Sequence, residues 1–227
     1  MDTKSTITVP GVASAPRRVL ATRNTTWAKL LAQGMAKAGI RPNAVSIASV
    51  AFATAAAIAF CAVPSSSGGS RAALLIIAAA AIQLRLLCNL LDGMLAVEHG
   101  MKGKTGDIYN DLPDRLADVL ILVAAGYSIR NLQYGTALGW AAAVLALFTA
   151  YVRVLAGSIG LTQHFIGPMA KQHRMFTLTL ATLACSAETL TGVRLDAMRT
   201  GLAVIIAGST ATAVRRCRRL LHEAEAR

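Results

Sequence analysis

Six apolar runs, most of them near twenty residues long, succeed one another between residues 43 and 214 with short polar breaks between them. A run of about 20 apolar residues is what an α-helix needs to cross the hydrocarbon core of a bilayer. The runs are continuous and rich in Ala and Leu, so they lack the alternation of a β-barrel strand. Hydrophobic residues make up 55% of the chain and charged residues 15%, with a mean hydropathy of +0.53. Such a composition excludes an ordinary soluble domain. The four cysteines (Cys61, Cys88, Cys185, Cys217) are scattered, form no CxxC pair and imply neither a disulfide framework nor a zinc site.

The expected fold is an all-α integral membrane protein. Residues 1–24 read as a flexible polar tail with no apolar core of signal-peptide length. Residues 25–39 place Trp27, Leu30, Leu31 and Met35 on one helical stripe, with Lys29 and Lys37 off it. This predicts a short amphipathic helix at the membrane surface, with Thr25 or Thr26 as N-cap. Spans are expected over 43–63, 71–97, 106–128, 136–157, 173–190 and 200–214, joined by short turns, so that 25–214 forms a six-helix domain. Residues 215–227 read as a basic tail.

Orientation follows from Lys and Arg. With a cytoplasmic N-terminus, cytoplasmic segments hold seventeen of them and the opposite turns four (Arg71, Arg130, Arg194, Arg199); Arg85 and Arg153 lie within spans. This is a clear positive-inside bias, and six spans return the C-terminus to the cytoplasm. The net charge of +12 then belongs beside anionic lipid; no aromatic-rich basic patch argues for nucleic acid. The segment from residue 89 to 118 then sits at the cytoplasmic end of the second and third spans.

One segment breaks the apolar pattern. Six of the 11 acids (Asp92, Glu98, Asp107, Asp111, Asp114, Asp118) fall between residues 92 and 118. Asn89, Asp92 and Ala96 share one face of the second span, with Gly93 beside them. Asp107, Asp111, Asp114 and Asp118 form a stripe on the third, and Asn110 stands four residues before Asp114. Two antiparallel helices joined by a loop of about eight residues can oppose these faces. Carboxylate and amide oxygens then converge at the membrane surface, and such oxygens are the ligands Mg²⁺ prefers. Solvation or a favourable helix dipole accounts for Glu98 and Asp107 equally well. It accounts poorly for Asn89, Asp92, Asp114 and Asp118, which stand in apolar helices where a charge costs about 3 kcal/mol. Pro113 removes a helix hydrogen bond beside Asp114 and shapes the site.

The segment resembles the CDP-alcohol phosphotransferases, whose signature is D-x2-D-G-x2-A-R-x8-G-x3-D-x3-D. This chain reads Asn89-x2-Asp92-Gly93-x2-Ala96-Val97-x8-Gly106-x3-Asn110-x3-Asp114. Spacing matches throughout; identity fails at Asn89, Val97 and Asn110. "RPNAVS" (41–46) resembles the family's Pro-Asn-x-x-Thr start of the first span, and Arg153 with the loop carrying Gly167 and Lys171 resembles its fourth-to-fifth span region. The chain also resembles a bacterial branch with Asn at the first and third motif positions, which implies a bacterial inner membrane with the active site facing the cytoplasm.

The resemblance implies a phosphatidyltransferase of phospholipid biosynthesis. It would move a phosphatidyl-type group from a CDP-linked lipid such as CDP-diacylglycerol to a small alcohol, releasing CMP. Asn89, Asp92, Asn110 and Asp114 would hold one or two Mg²⁺ or Mn²⁺ ions, with Asp114 also the catalytic base. Asn43, Ser46, Gly93, Ala96 and Gly106 would bind the CDP part. Arg153, Lys171 and Arg174, with His164 and His173 nearby, could take an acidic group on the acceptor. The family also implies a homodimer. Two Asn and two Asp carry half the charge of four Asp, and Val97 removes an Arg phosphate clamp. Asp107 and Asp111 are candidates to restore the charge, and Lys102 or Lys104 to replace the Arg. Two alternatives stay open: a non-catalytic CDP-lipid-binding homologue, and a small membrane transporter using intramembrane Asp and Arg.

Overall fold

The computed structural model describes residues 25–98, 105–129 and 132–226, and within them not the side chains of Asp107, Asn110, Leu132 or Gln133. Among the described residues the chain is wholly helical: α1 (Thr26–Lys37), α2 (Pro42–Ala62), α3 (Gly68–Val97), α4 (Gly106–Tyr127), α5 (Leu132–Ser158), α6 (Lys171–Thr191) and α7 (Ala197–Glu225). Each long helix except α7 lies within a few residues of its expected span, because Gly, Pro and Ser punctuate the chain where the apolar runs stop. Thr25 is the N-cap of α1, and Gly39 follows that helix with φ 71°. Pro42 opens α2 at a position where its missing N–H costs nothing.

The sixth span, expected to end at 214, is part of a longer helix. Residues 215–225 continue α7 without a break. No Gly or Pro follows Gly208, and "RRCRRLLHEAEA" consists mostly of strong helix formers. Arg219 reaches Glu223 at 2.9 Å one turn on, and Glu223 also pairs with His164. The expected turn at 191–199 is shorter for the same reason, since α7 starts at Ala197.

The long helices close into a ring in the order α2, α3, α6, α7, α5, α4 and back to α2, with α1 lying on α3. Its interior is built from small and branched residues: Phe60, Leu75, Ile82, Ile121, Leu122, Met175, Leu178, Leu202 and Ile205 are fully buried among many alanines. The α4–α5 seam depends on glycine. A Cβ on Gly126 would lie 2.4 Å from the Gly135 carbonyl oxygen, and one on Gly139 would lie 2.9 Å from the Leu122 carbonyl oxygen. Small residues let helix backbones approach this closely, which is how helices pack where lipid removes the hydrophobic drive between them.

The outward faces are apolar too. Ile58, Ile76, Ile77, Val144 and Leu180 are half-exposed or more. Among the described residues four helices, α2, α3, α5 and α7, are long and apolar enough to cross a membrane. An apolar exterior around an apolar ring points to an integral membrane protein. Helices α4 and α6 fall outside that set; α4 carries its acids, with Arg115 among them, toward one end of the ring.

Candidate functional site

The polar groups gather at the end of the ring where α3, α5 and α7 finish and α4 and α6 begin. On α3, Arg85, Asn89, Asp92 and Ala96 follow one stripe at i, i+4, i+7 and i+11. Asp92 is buried, and Ser46 of α2 donates a 2.6 Å hydrogen bond to its Oδ2. Among the described residues its Oδ1 has no hydrogen-bond partner, and neither has Nδ2 of Asn89. Asp92 lies within electrostatic reach of Asp114 and Lys171.

Arg85 is fully buried, and its Nη2 meets α4 three times: Asp118 Oδ1 at 2.7 Å, the Asp114 carbonyl oxygen at 3.2 Å and Asp114 Oδ1 at 3.4 Å. Lys171, on the first turn of α6, donates to the other Asp114 oxygen, Oδ2. Arg174, one turn further, reaches Asp118 Oδ2 at 3.0 Å and also donates to Thr149 Oγ1 and the Met169 carbonyl. Asp114 and Asp118, four residues apart on α4, therefore each hold two cations from two different helices. Buried charges persist only when paired and hydrogen-bonded in this way.

A cavity of about 570 Å³ opens over this cluster. Asn89, Asp111, Asp114, Arg115, Arg153, Lys171, Arg174 and Arg216 line its polar parts, and Trp27 of α1 and Phe165 part of its apolar wall. Asp111 accepts from Arg115 at 2.5 Å and from Arg153 at 2.7 Å. Arg153 also stands 5.4 Å over the Phe165 ring. Arg216 binds the Thr149 carbonyl oxygen at 2.6 Å and the Ile166 carbonyl oxygen at 3.0 Å. The segment carrying Phe165 is pinned by Gly167, where φ is 123° and a Cβ would lie 2.5 Å from the Thr212 side chain.

The residues expected to take the acceptor, Arg153, Lys171 and Arg174, thus line one cavity together with Asn89 and Asp114. His164 stands apart, paired with Glu223, and His173 is exposed, its ring against the Pro168 carbonyl. Of the residues expected to bind the CDP part, Ser46 holds Asp92, Gly93 and Ala96 are half-buried on the α3 stripe, Asn43 lies in the first turn of α2, and Gly106 opens α4. The side chains of Asn110 and Asp107, and Lys102 and Lys104 altogether, lie outside the described residues. Asp111 is engaged by Arg115 and Arg153 instead of standing free for an ion.

Three participants escaped the sequence reading of the site. Arg85 was visible as an intramembrane charge on the stripe of Asn89 and Asp92, but that reading did not pair it with α4. Arg216 fell in the supposed tail. Thr149, a hydroxyl inside an Ala-rich helix, carried no signal.

The donors present suit a divalent ion only in part. The unpartnered Oδ1 of Asp92 is a carboxylate oxygen of the kind a divalent ion takes, whereas the unpartnered atom of Asn89, one turn away, is the amide nitrogen, a donor suited to a phosphate oxygen and not to a cation. Asp114 and Asp118 have their carboxylate oxygens engaged by Arg85, Lys171 and Arg174. Among the described residues no group of three His, Cys, Asp or Glu is placed to hold a metal.

No family model matches the chain, and no curated protein matches it. Solved structures do. The chain resembles phosphatidylinositol phosphate synthase of Mycobacterium tuberculosis with CDP-DAG bound, at 18% identity and a TM-score of 0.70, covering 86% of this chain and 94% of that one. The same enzyme in complex with manganese and citrate matches at 18% identity and a TM-score of 0.71, covering 86% and 88%. Its apo form matches at 19% and 0.67, covering 83% and 93%. Across nearly the whole of both chains, the fold is that of this membrane synthase.

Proposed function

We propose that the protein is a membrane phosphotransferase of the CDP-alcohol type, which transfers a phosphatidyl-type group from a CDP-linked lipid to a small alcohol and releases CMP. One observation carries the reading: Asn89, Asp114, Arg153, Lys171 and Arg174, drawn from four helices, line one cavity at the end of a ring whose outside is apolar. The solved relative's binding of CDP-DAG supports a CDP-lipid donor, and its manganese complex supports a divalent ion. The motif spacing from Asn89 to Asp114 supports both.

In this reading α2 to α7 all span the bilayer, α1 lies on its surface, and the cavity faces the cytoplasm of a bacterial cell. Acyl chains stay in lipid while the head group enters the cavity. Lys171 and Arg174 draw the diphosphate toward Asp114, and Lys171 leaves the carboxylate as it takes a phosphate oxygen. Asp114 then accepts the proton of the acceptor hydroxyl. The alcohol oxygen bonds to the lipid-bearing phosphorus, and the bond from that phosphorus to the bridging oxygen breaks. CMP leaves with the bonding electrons. Charge builds on oxygens that Lys171, Arg174 and Arg153 surround. Asn89 and Asp92, as motif residues, would help to hold a divalent ion, which would supply further neutralisation of the phosphate oxygens. Asn43, Ser46, Gly93, Ala96 and Gly106 border the CDP part, and the chain forms a homodimer.

A second reading has its own support. Two motif acids are amides, and Asp114 is already neutralised by Lys171 and Arg85, which fits a protein that binds a CDP-lipid without turning it over. Purified protein in detergent micelles with CDP-diacylglycerol, Mg²⁺ or Mn²⁺ and a panel of alcohols separates the two. Release of CMP that depends on one alcohol is expected; no release with any alcohol supports the binding protein.

A further inference from the structure

Arg115 and Asp111 line the cavity, yet the chemistry at Asp114 uses neither. One oxygen of Asp111, Oδ1, accepts from Nη2 of Arg115 at 2.5 Å and from Nη2 of Arg153 at 2.7 Å. It thus holds guanidiniums from α4 and α5 against a single point on the wall. A guanidinium carries five N–H donors in a rigid plane, and Asp111 takes one from each. Both side chains are 19% exposed, so donors remain for a ligand in the cavity. Phe165 lies against Arg153 and steadies it. Lys171 and Arg174 belong to a different group, paired with Asp114 and Asp118.

The charges point the same way. Among the described side chains lining the cavity, Arg115, Arg153, Lys171, Arg174 and Arg216 stand against Asp111 and Asp114. Arg85, Asp92 and Asp118 are buried close by. With those three counted, and Asp107 of α4 counted as an acid, cations still outnumber acids. A diphosphate and one divalent ion cancel each other, and a second ion would enlarge the excess. Confined cations without a counter-charge are unfavourable, so the cavity is suited to a further anion.

We propose that Arg115 and Arg153, bridged by Asp111, form a clamp for a phosphate monoester carried by the acceptor alcohol, and that Arg115 is a specificity-determining residue. Two guanidinium forks from different helices can hold a tetrahedral dianion from two sides. A planar carboxylate with one charge, or a neutral alcohol, satisfies them less well. This deepens the phosphotransferase reading and rests on it for the identity of the acceptor.

Calorimetric titration of full-length protein in detergent, with no CDP-lipid present, tests this without turnover. Inorganic phosphate and glycerol 3-phosphate should bind, and glycerate and glycerol at least about tenfold more weakly. Arg115→Gln and Arg153→Gln should each weaken both phosphates about tenfold, as loss of a charged hydrogen bond predicts, and change the affinity for CDP much less. Saturating CDP should leave glycerol 3-phosphate bound. Should Arg115→Gln fail to fold, Arg115→Lys, which keeps the charge and loses the fork, should weaken the phosphates by a smaller factor. Glycerol or glycerate bound as tightly as glycerol 3-phosphate overturns the proposal. So does displacement of glycerol 3-phosphate by CDP, or inorganic phosphate bound while its ester is refused. A folded Arg115→Gln with unchanged phosphate affinity, or an Arg115→Lys with unchanged affinity, overturns the role of Arg115. Lack of CMP release with any alcohol would sink the enzymatic reading and leave these affinities standing.

Discussion

Helix α4 is held at its two ends by opposite means. Toward its C-terminus, Gly126 meets Gly135 and Gly139 of α5 so closely that no side chain fits between the backbones. Toward its N-terminus, Asp114 and Asp118 reach across to Arg85 of α3 and to Lys171 and Arg174 of α6. The first seam is dispersion and shape, and contains nothing that could react. The second is charge in a confined space, which is costly to build and stable only while complete. A protein that needed only a stable bundle would use the first kind at both ends. The proposed function places the chemistry at the charged seam, which α4 links to the close-packed glycine seam.

That contrast can be broken from either side. The largest effect on stability is expected at the charged seam. Arg85→Met strands Asp118 and part of Asp114 without their shared cation and should cost about 3–5 kcal/mol. Adding Asp118→Asn should return much of the loss, read as the thermal unfolding midpoint in detergent. No recovery would mean that the ion network is not what holds α4 to α3. At the glycine seam, Gly139→Leu forces the α4 and α5 backbones apart and should cost about 1–3 kcal/mol. An unchanged midpoint would show the seam to be looser than the close approach of Gly126 requires.

Smaller changes sharpen the comparison within the cavity. Arg153→Ala removes a cation that lies against Asp111 and Phe165 without touching Asp114. It should raise KM for the acceptor alcohol about tenfold, with kcat changed much less, as loss of a charged hydrogen bond predicts. A fall in kcat with KM unchanged would move Arg153 from binding to chemistry. The smallest effect belongs to the far end of the ring, where Glu188 accepts from the Leu195 and Ala197 backbone N–H groups at 2.9 and 3.0 Å. Glu188→Gln should shift stability by less than about 1 kcal/mol and leave turnover alone.

Much of the fold was legible because lipid imposes simple rules. Apolar runs of spanning length separated by Gly, Pro and Ser place the helices to within a few residues. What failed was the end of α7: Arg215 to Arg219 look like a solvated tail in one dimension, yet Arg216 is buried against Thr149 and Ile166. Hydropathy cannot distinguish a charge facing water from a charge facing a polar cavity. The site was legible where periodicity aligned it. Asn89 and Asp92 on α3, and Asp111, Asp114 and Asp118 on α4, stand on stripes that could be drawn before any coordinates. Arg85 stands on the same stripe as Asn89, so its place was readable; its partners were not, because Arg85 and Asp118 are 33 residues apart in sequence. The closing loop is equally opaque, since Arg174, Met169 and Thr149 meet only once α5, α6 and α7 have packed.

The central claim is that the carboxylate of Asp114, freed from Lys171, activates an alcohol for attack on a CDP-lipid. Its most direct test is mass spectrometry of total lipids from bacteria expressing the wild-type chain and, in parallel, Asp114→Asn at matched membrane levels. A phospholipid that accumulates with the wild-type chain and falls by about a hundredfold or more with Asp114→Asn is the expected result, since a general base contributes at least that much. Identical lipid profiles in the two strains, or a new lipid made equally well by Asp114→Asn, would contradict it.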